Sequence, residues 1–326
     1  MAMTTVDDLL QDGPLRIVDI GASGGLHPRW RALTSAVTAV LFEPDPRAQE
    51  QLKLNNPVGT IVLGCAVSDN AALIDFHQCR KQQVSSVYTP DFELLQKYPY
   101  PERFYIVGTT RIRVETLDSQ LLRAGITDVD FMKVDTQGSE LDVLRGSQRT
   151  LAHAIGLEIE IAFIPLYKGQ PLFCEVDTFA RSFGYSLIDL RRIYWRRGNS
   201  SDYGRKKGQL VAGDALYLRT PEQMLAMPGV TPQRIVHTIG VYLAYGYADL
   251  AQAVVDGAER DGLLEAGRLH RAAATIATFK SHWMPDFTGR RPLKRVLQRI
   301  ANLFSDQGPY TGADGELGNL DFRASR

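Results

Sequence analysis

An α/β fold, with a doubly wound and mostly parallel sheet followed by a C-terminal helical extension, is what the sequence predicts, and three observations carry the prediction. Strand-like and helix-like runs alternate from Arg16 to about Leu190. An apolar run at 16–19 opens into the glycine turn of Val18-Asp19-Ile20-Gly21-Ala22-Ser23-Gly24-Gly25. A second apolar run, at 39–42, ends in an acid, Glu43. At 326 residues, 44% hydrophobic and 23% charged, the chain is ordinarily globular, with room for one large α/β domain plus an extension.

The elements follow in order. Residues 16–19 form a strand whose glycine turn lets the backbone approach a ligand closely, and a helix near 28–35 points its amide-rich N-terminus at the same spot. Strands at 39–42 and 60–63 come next, with a helix at 46–54 between them. A helix at 117–124 leads to a strand at 131–134. The turn Gln137-Gly138-Ser139 then starts a helix at 140–145, with Ser139 as its N-cap. A strand at 156–161 follows, and strands at 186–190 and 215–219 close the sheet, joined by a polar loop too long for a tight hairpin. Beyond Arg219 the composition shifts, with helical patterns at 232–255 and 271–280, and the Gly- and Asp-rich stretch 308–319 reads as part of a flexible tail. The expected organisation is a sheet domain at 1–219, a helical extension at 220–305 and a tail at 306–326.

Glycine spacing separates two cofactor classes. A dinucleotide fingerprint wants G-x-G-x-x-G, but Ser23 stands where its second glycine would admit a pyrophosphate. An acid just upstream of the glycines repels a phosphate and suits the cationic methionine part of S-adenosylmethionine. Asp19, Gly21, Ala22, Ser23 and Gly24 are therefore expected to hold that donor, with Glu43 on its ribose hydroxyls.

Further segments point the same way: Phe42-Glu43-Pro44, Ala66-Val67-Ser68-Asp69, Thr116-Leu117-Asp118-Ser119, the block FMKVDTQGSELDVLRG at 131–146, and LEIEIAFIPLYKGQPLF at 157–173. With the glycine turn they resemble the FkbM-type S-adenosylmethionine-dependent methyltransferases, the block at 133–140 being the most specific. The resemblance implies a Rossmann-like fold of the class I methyltransferase type. It also implies O-methylation of hydroxyls, commonly on sugars, glycans or polyketides.

Each candidate residue has a functional and a structural reading. Ser68 and Asp69 are placed to flank the adenine, although Ser68-Asp69-Asn70 is also an ordinary turn sequence. Asp135, at the carboxyl end of its strand, can meet both donor and acceptor and is the expected proton acceptor. Glu140 contacts the acceptor, or simply complements the dipole of the helix it begins. Lys133 shares the face of Asp135 and needs a partner, for which Glu158 and Glu160 are the candidates; an internal ion pair and direct acceptor contact, by Lys133 and Glu160, both stay open. Tyr167 and Lys168 line the acceptor cleft or cap the sheet. His27 is the one histidine near the cleft and suits substrate contact or proton transfer, though a histidine at a helix start is as readily structural.

A basic run of Arg191, Arg192, Arg196, Arg197, Arg205, Lys206 and Lys207, interleaved with Tyr194, Trp195 and Tyr203, faces one acid, Asp202. Cations hold phosphates or uronates and aromatics stack on sugars, so an anionic glycan or a sugar-phosphate carrier is the acceptor expected of Arg196 and Arg197; a solvated face is the alternative.

Composition excludes several classes. Lys+Arg and Asp+Glu both number 37, and no basic stripe extends the loop, which argues against nucleic acid. Three cysteines without C-x-x-C spacing, and six histidines without H-x-H or H-x-x-x-H spacing, fit neither a disulfide framework nor a zinc site. The scheme requires no divalent metal, although one held by Asp135 and a neighbouring acid stays open. A cytoplasmic protein without a secretory signal or membrane span is expected. Residues 290–304 read as a basic amphipathic helix, suited to peripheral membrane contact or to docking on protein. A nucleotide-dependent oxidoreductase and a non-catalytic donor-binding assembly module are the rival functions.

Overall fold

The computed structural model describes residues 6–31, 33, 36–55, 60–198 and 208–279, together with 292, 296, 297, 300 and 317–319. Ten strands lie among them: β1 (Leu15–Ile20), β2 (Val37–Phe42), β3 (Ile61–Leu63), β4 (Ala66–Val67), β5 (Ala72–Cys79), β6 (Ile106–Glu115), β7 (Phe131–Val134), β8 (Gly156–Ala162), β9 (Ser186–Trp195) and β10 (Gln209–Leu218). Seven form one sheet in the order β3-β2-β1-β7-β8-β10-β9. All its pairings are parallel except those of β10, which is antiparallel to both β8 and β9. This is the α/β sheet expected of a class I methyltransferase. Strand order reverses between β1 and β7, and the crevice outside their carboxyl ends is where such sheets take ligands.

Both faces of the sheet are covered. Leu15, Ile17, Ala39, Leu41, Phe131, Leu216 and Leu218 pack against the helices Pro232–Ala244, Ala248–Arg260 and Ala266–Thr278. Val18, Ile20, Val40, Phe42, Met132, Val134, Ile159 and Tyr217 face Leu117–Arg123, Glu140–Arg145 and Phe173–Ser182. A strand buried on both faces reads as a continuous apolar run, the pattern visible in the sequence.

The structure departs from expectation in several places. The first helix after the glycine turn is only Pro28–Arg31. The pattern at 232–255 is two helices, broken at Tyr245-Gly246-Tyr247, where Gly246 adopts φ +77°. The closing strands are longer than expected, so Arg191 and Arg192 belong to β9 and not to a loop. A second sheet, β4-β6-β5, has no counterpart in the expected strands. Leu73 on β5 and Val107 on β6 are 64% and 61% exposed, so apolar residues on the solvent side blur the short alternation of Arg111-Ile112-Arg113-Val114. Within the expected tail, Leu317 is buried at 3% exposure and Gly318 donates to Asp189 Oδ2. Most of 290–304 lies outside the described residues; of those described, Val296, Leu297 and Ile300 are exposed. Among the described residues no helix is long and apolar enough to cross a membrane.

Candidate active site

A cavity of about 390 Å³ opens at the carboxyl ends of β1, β2 and β7. The turn after β1 forms one wall through Gly21, Ala22, Ser23, Gly24 and His27. That turn is pinned: the amides of Gly21 and Ala22 both donate to Phe42 O, at 2.9 and 3.1 Å, and Asp135 N donates to Ile20 O at 2.9 Å.

Lys133 and Asp135 also line the cavity. Asp19, Lys133 and Glu158 are register partners across β1, β7 and β8, so their side chains share one face. Lys133 Nζ lies 3.4 Å from Asp19 Oδ1 and 3.5 Å from Asp135 Oδ2. These are its ion-pair partners, not the expected Glu158 and Glu160, whose carboxylates are engaged by Tyr245 Oη at 2.6 Å and Gln137 Nε2 at 2.6 Å. Burial opposes the Lys133 charge, yet Asp19, Asp135 and Glu158 outweigh it and hold the ammonium protonated. Burial also works against the Asp135 carboxylate, but Lys133 and hydrogen bonds from Glu160 and Gln137 prevail and hold its pKa below the ordinary value. Asp19 is pushed up to about 6 by burial and, at 2% exposure, sits behind Lys133 outside the cavity lining.

Glu43, at the tip of β2, lines the cavity and is raised to about 7, chiefly by burial. Its Oε1 accepts from Asp45 N at 2.8 Å. Opposite, Cys65, Ala66 and Val67 form the wall where Ser68 and Asp69 were expected. The latter two lie outside the lining, Ser68 N being turned to Glu115 O.

A roof that the sequence does not announce comes from Gln82, Gln83, Ser85 and Val87, after β5. Ser86 Oγ ties it to Gln137 O at 2.7 Å, and Tyr167 Oη to Val84 O at 3.0 Å.

The turn after β7 is braced from behind. Glu140 accepts from Thr136 N and Gly138 N, each at 3.0 Å, and from Thr136 Oγ1 at 3.2 Å. Burial raises it to about 7 in spite of those bonds. Its carboxylate does not line the cavity. Ser139 stands at the N-cap position, but its hydroxyl goes to Thr136 Oγ1 at 3.0 Å instead of capping the helix. Gln137, at φ +58°, bridges Asp135 Oδ1 at 2.9 Å and Glu160 Oε2, while Tyr167 Oη reaches Gln137 Oε1 at 3.2 Å. Burial and the Asp135 charge hold Glu160 well above its usual range. Tyr167 is buried beneath the roof; Lys168 is exposed and outside the lining.

His27 Nδ1 accepts from Arg29 N at 3.2 Å. Arg191 is paired with Asp214. Arg197 sits over the Tyr98 ring at 5.9 Å, and neither it nor Arg196 lines the cavity. Arg205, Lys206 and Lys207 lie outside the described residues. Among the described residues no group of three or more His, Cys, Asp or Glu side chains is arranged to hold a metal ion.

Comparison with known proteins places this geometry in a family. The methyltransferase FkbM domain matches residues 19–187, just over half of the chain. The 2-O-methyltransferase NoeI of Sinorhizobium fredii (strain NBRC 101917 / NGR234) is 29% identical over 168 residues, 49% of this chain and 69% of that protein. Similar solved structures include human methyltransferase-like protein 13 in complex with S-adenosylhomocysteine, at 12% identity over 90% of this chain and 94% of that one with TM-score 0.32. Another is precorrin-6y C5,15-methyltransferase of Geobacter metallireducens GS-15, at 9% identity over 66% and 85% of the two chains with TM-score 0.32. From the domain match, over a sheet with its cavity at the β1/β7 switch point, the chain belongs to the FkbM methyltransferase family and is an S-adenosylmethionine-dependent methyltransferase.

Proposed function

We propose that the enzyme methylates a hydroxyl oxygen of a sugar or glycan. The observation that carries this reading is Asp135, a carboxylate in the cavity lining that Lys133 and Gln137 favour in its ionised form. An oxygen acceptor must shed a proton as the new bond forms, and such a carboxylate can take it. The similarity to NoeI, a 2-O-methyltransferase, supports the same reading.

The cavity fits the donor. Its volume lies in the range of about 300–1,000 Å³ usual for small-molecule sites. Glu43 would hold the ribose hydroxyls, the Gly21–Gly24 turn the methionine part, and Ala66, Val67 and Phe76 the base. When bound, the donor supplies an already activated methyl group. The chain's own residues then have to align the acceptor oxygen and receive its proton. The Asp135 carboxylate is the receiving group; Gln137 holds its Oδ1 and Lys133 its Oδ2, each leaving a lone pair for the acceptor hydroxyl. His27, in the same wall as the glycine turn, is the candidate for a further contact to the acceptor. Glu140 and Gln137 fix the turn that carries Asp135. No step calls for a metal ion. The basic run around Arg196 and Arg197 remains the candidate for an anionic part of the acceptor, with its aromatic neighbours Tyr98 and Trp195. A cytosolic setting belongs to the same reading, supported by the free cysteines Cys65, Cys79 and Cys174.

Methyl-labelled donor incubated with fractionated glycan extracts tests the proposal. Label should enter a hydroxylated carbohydrate and stay out of it with Asp135→Asn. Label on nitrogen or carbon acceptors alone would overturn it, and donor binding without label transfer to any fraction would favour an assembly module.

A further inference from the structure

Arg29 sits where distant parts of the chain meet. It directly follows His27 and Pro28 in the cavity wall, is 2% exposed, and lies over the Tyr245 ring at 3.8 Å from the centroid. Its Nη1 donates to Ala244 O at 3.2 Å and its Nη2 to Leu317 O at 2.8 Å. Leu317 is buried, Gly318 N donates to Asp189 Oδ2 at 2.8 Å, and Asn319 donates through N to Tyr245 O at 2.8 Å and through Nδ2 to Gly246 O at 3.3 Å. Gly318 holds φ +82°, and a Cβ there would meet Tyr245 O at 2.4 Å. The docked pose therefore requires glycine.

We propose that Arg29 is a positioning residue anchored by Leu317–Asn319, so that this docked segment, far outside the family match, sets the His27 wall of the donor cavity. The turn Pro28–Arg31 is one helical turn, too short to hold its shape without tertiary contacts. A buried guanidinium that loses a carbonyl partner is left with an unsatisfied donor, which couples its position tightly to the docking of Leu317. Arg29 N in turn donates to His27 Nδ1, which fixes the imidazole. Tyr245, gripped by both Arg29 and Asn319, donates to Glu158, the register partner of Lys133, so the same contact bears on the floor of the site. The inference rests on reading the cavity as the donor site.

S-adenosylhomocysteine is the probe, followed by calorimetry, with amide hydrogen exchange as a second readout. In the full chain, Gly318→Ala should weaken its binding about tenfold and speed exchange at residues 26–31, while exchange in β1 and β7 stays as in the wild type. A chain ending at residue 304 should show the same defect, and a synthetic peptide of residues 306–326 should restore binding saturably. Wild-type affinity and wild-type exchange at 26–31 in Gly318→Ala would overturn the proposal, as would a truncation defect that the peptide leaves untouched. Failure of the unaltered chain to bind S-adenosylhomocysteine would instead remove the donor-site reading beneath it.

Discussion

A Cβ on Gly21 would lie 1.8 Å from the main-chain oxygen of Asp135, and Gly21 itself holds φ +84°. The turns leaving β1 and β7 therefore meet backbone to backbone at the switch point, the glycine turn against the turn that begins at Asp135. Gly21→Ala has to push them apart. It should cost more than about 2 kcal/mol of stability and reduce S-adenosylhomocysteine binding, as thermal unfolding and calorimetry would show. A variant as stable as the wild type would mean that the contact yields easily.

Glu43, raised to about 7, should make donor binding pH-dependent. A cationic ligand with hydroxyl donors favours the ionised carboxylate, so affinity should climb between pH 6 and 8 and protons should be released on binding below pH 7. Glu43→Gln should lose about 1 to 3 kcal/mol of affinity at pH 8 and flatten the slope. Calorimetry in buffers of different ionisation enthalpy measures both; an unchanged slope would take Glu43 out of the donor site.

Asp135→Asn should fold and bind donor while turnover falls by about 10² or more. Because Lys133 keeps Asp135 ionised, the wild-type rate should show no titration of this group near neutrality. Turnover within a few-fold of wild type would reduce Asp135 to a packing role.

Stability should fall as pH rises. Asp19, Glu43 and Glu140, raised to about 6, 7 and 7 from ordinary values of 3.8, 4.5 and 4.5, bind more protons folded than unfolded between those limits. Their stabilising share is complete below about pH 4 and is lost as pH climbs through 6 to 7. Asp130 and Asp135, held low, work in the opposite sense, but only at more acid pH. The thermal midpoint of the ligand-free chain should drop between pH 5 and 8, and Glu140→Gln should remove part of the drop. A midpoint that rises over this interval would contradict the burial argument.

Much of the frame is legible in the sequence because β1, β2 and β7 are covered on both faces and read as largely apolar runs that end near acids. Glu43 and Asp135 can be placed at the cavity because each follows such a run. The roof cannot, since β5 puts Leu73 and β6 puts Ile106 and Val107 into solvent, and Gln82, Gln83 and Ser85 arrive with these strands. The partner of Lys133 is misread because residues on β8 repeat visibly at alternate positions, whereas only the strand order reveals that β1 is its other neighbour. Glu140 looks like a dipole partner of its helix, yet the amides it satisfies belong to the turn before it. Tyr245 and Leu317 reach the site from far along the chain, and no local pattern signals that.

The position of β10 between β8 and β9 fixes an order of assembly. β9 emerges first from the ribosome but has no place beside β8; it joins the sheet only through β10, and until residue 218 is out the edge of β8 stays uncovered. A fragment cut at residue 187, where the family match stops, would be caught in that half-built state, with the seats of the fully buried Ala215, Leu216, Tyr217 and Leu218 open to water and to other chains.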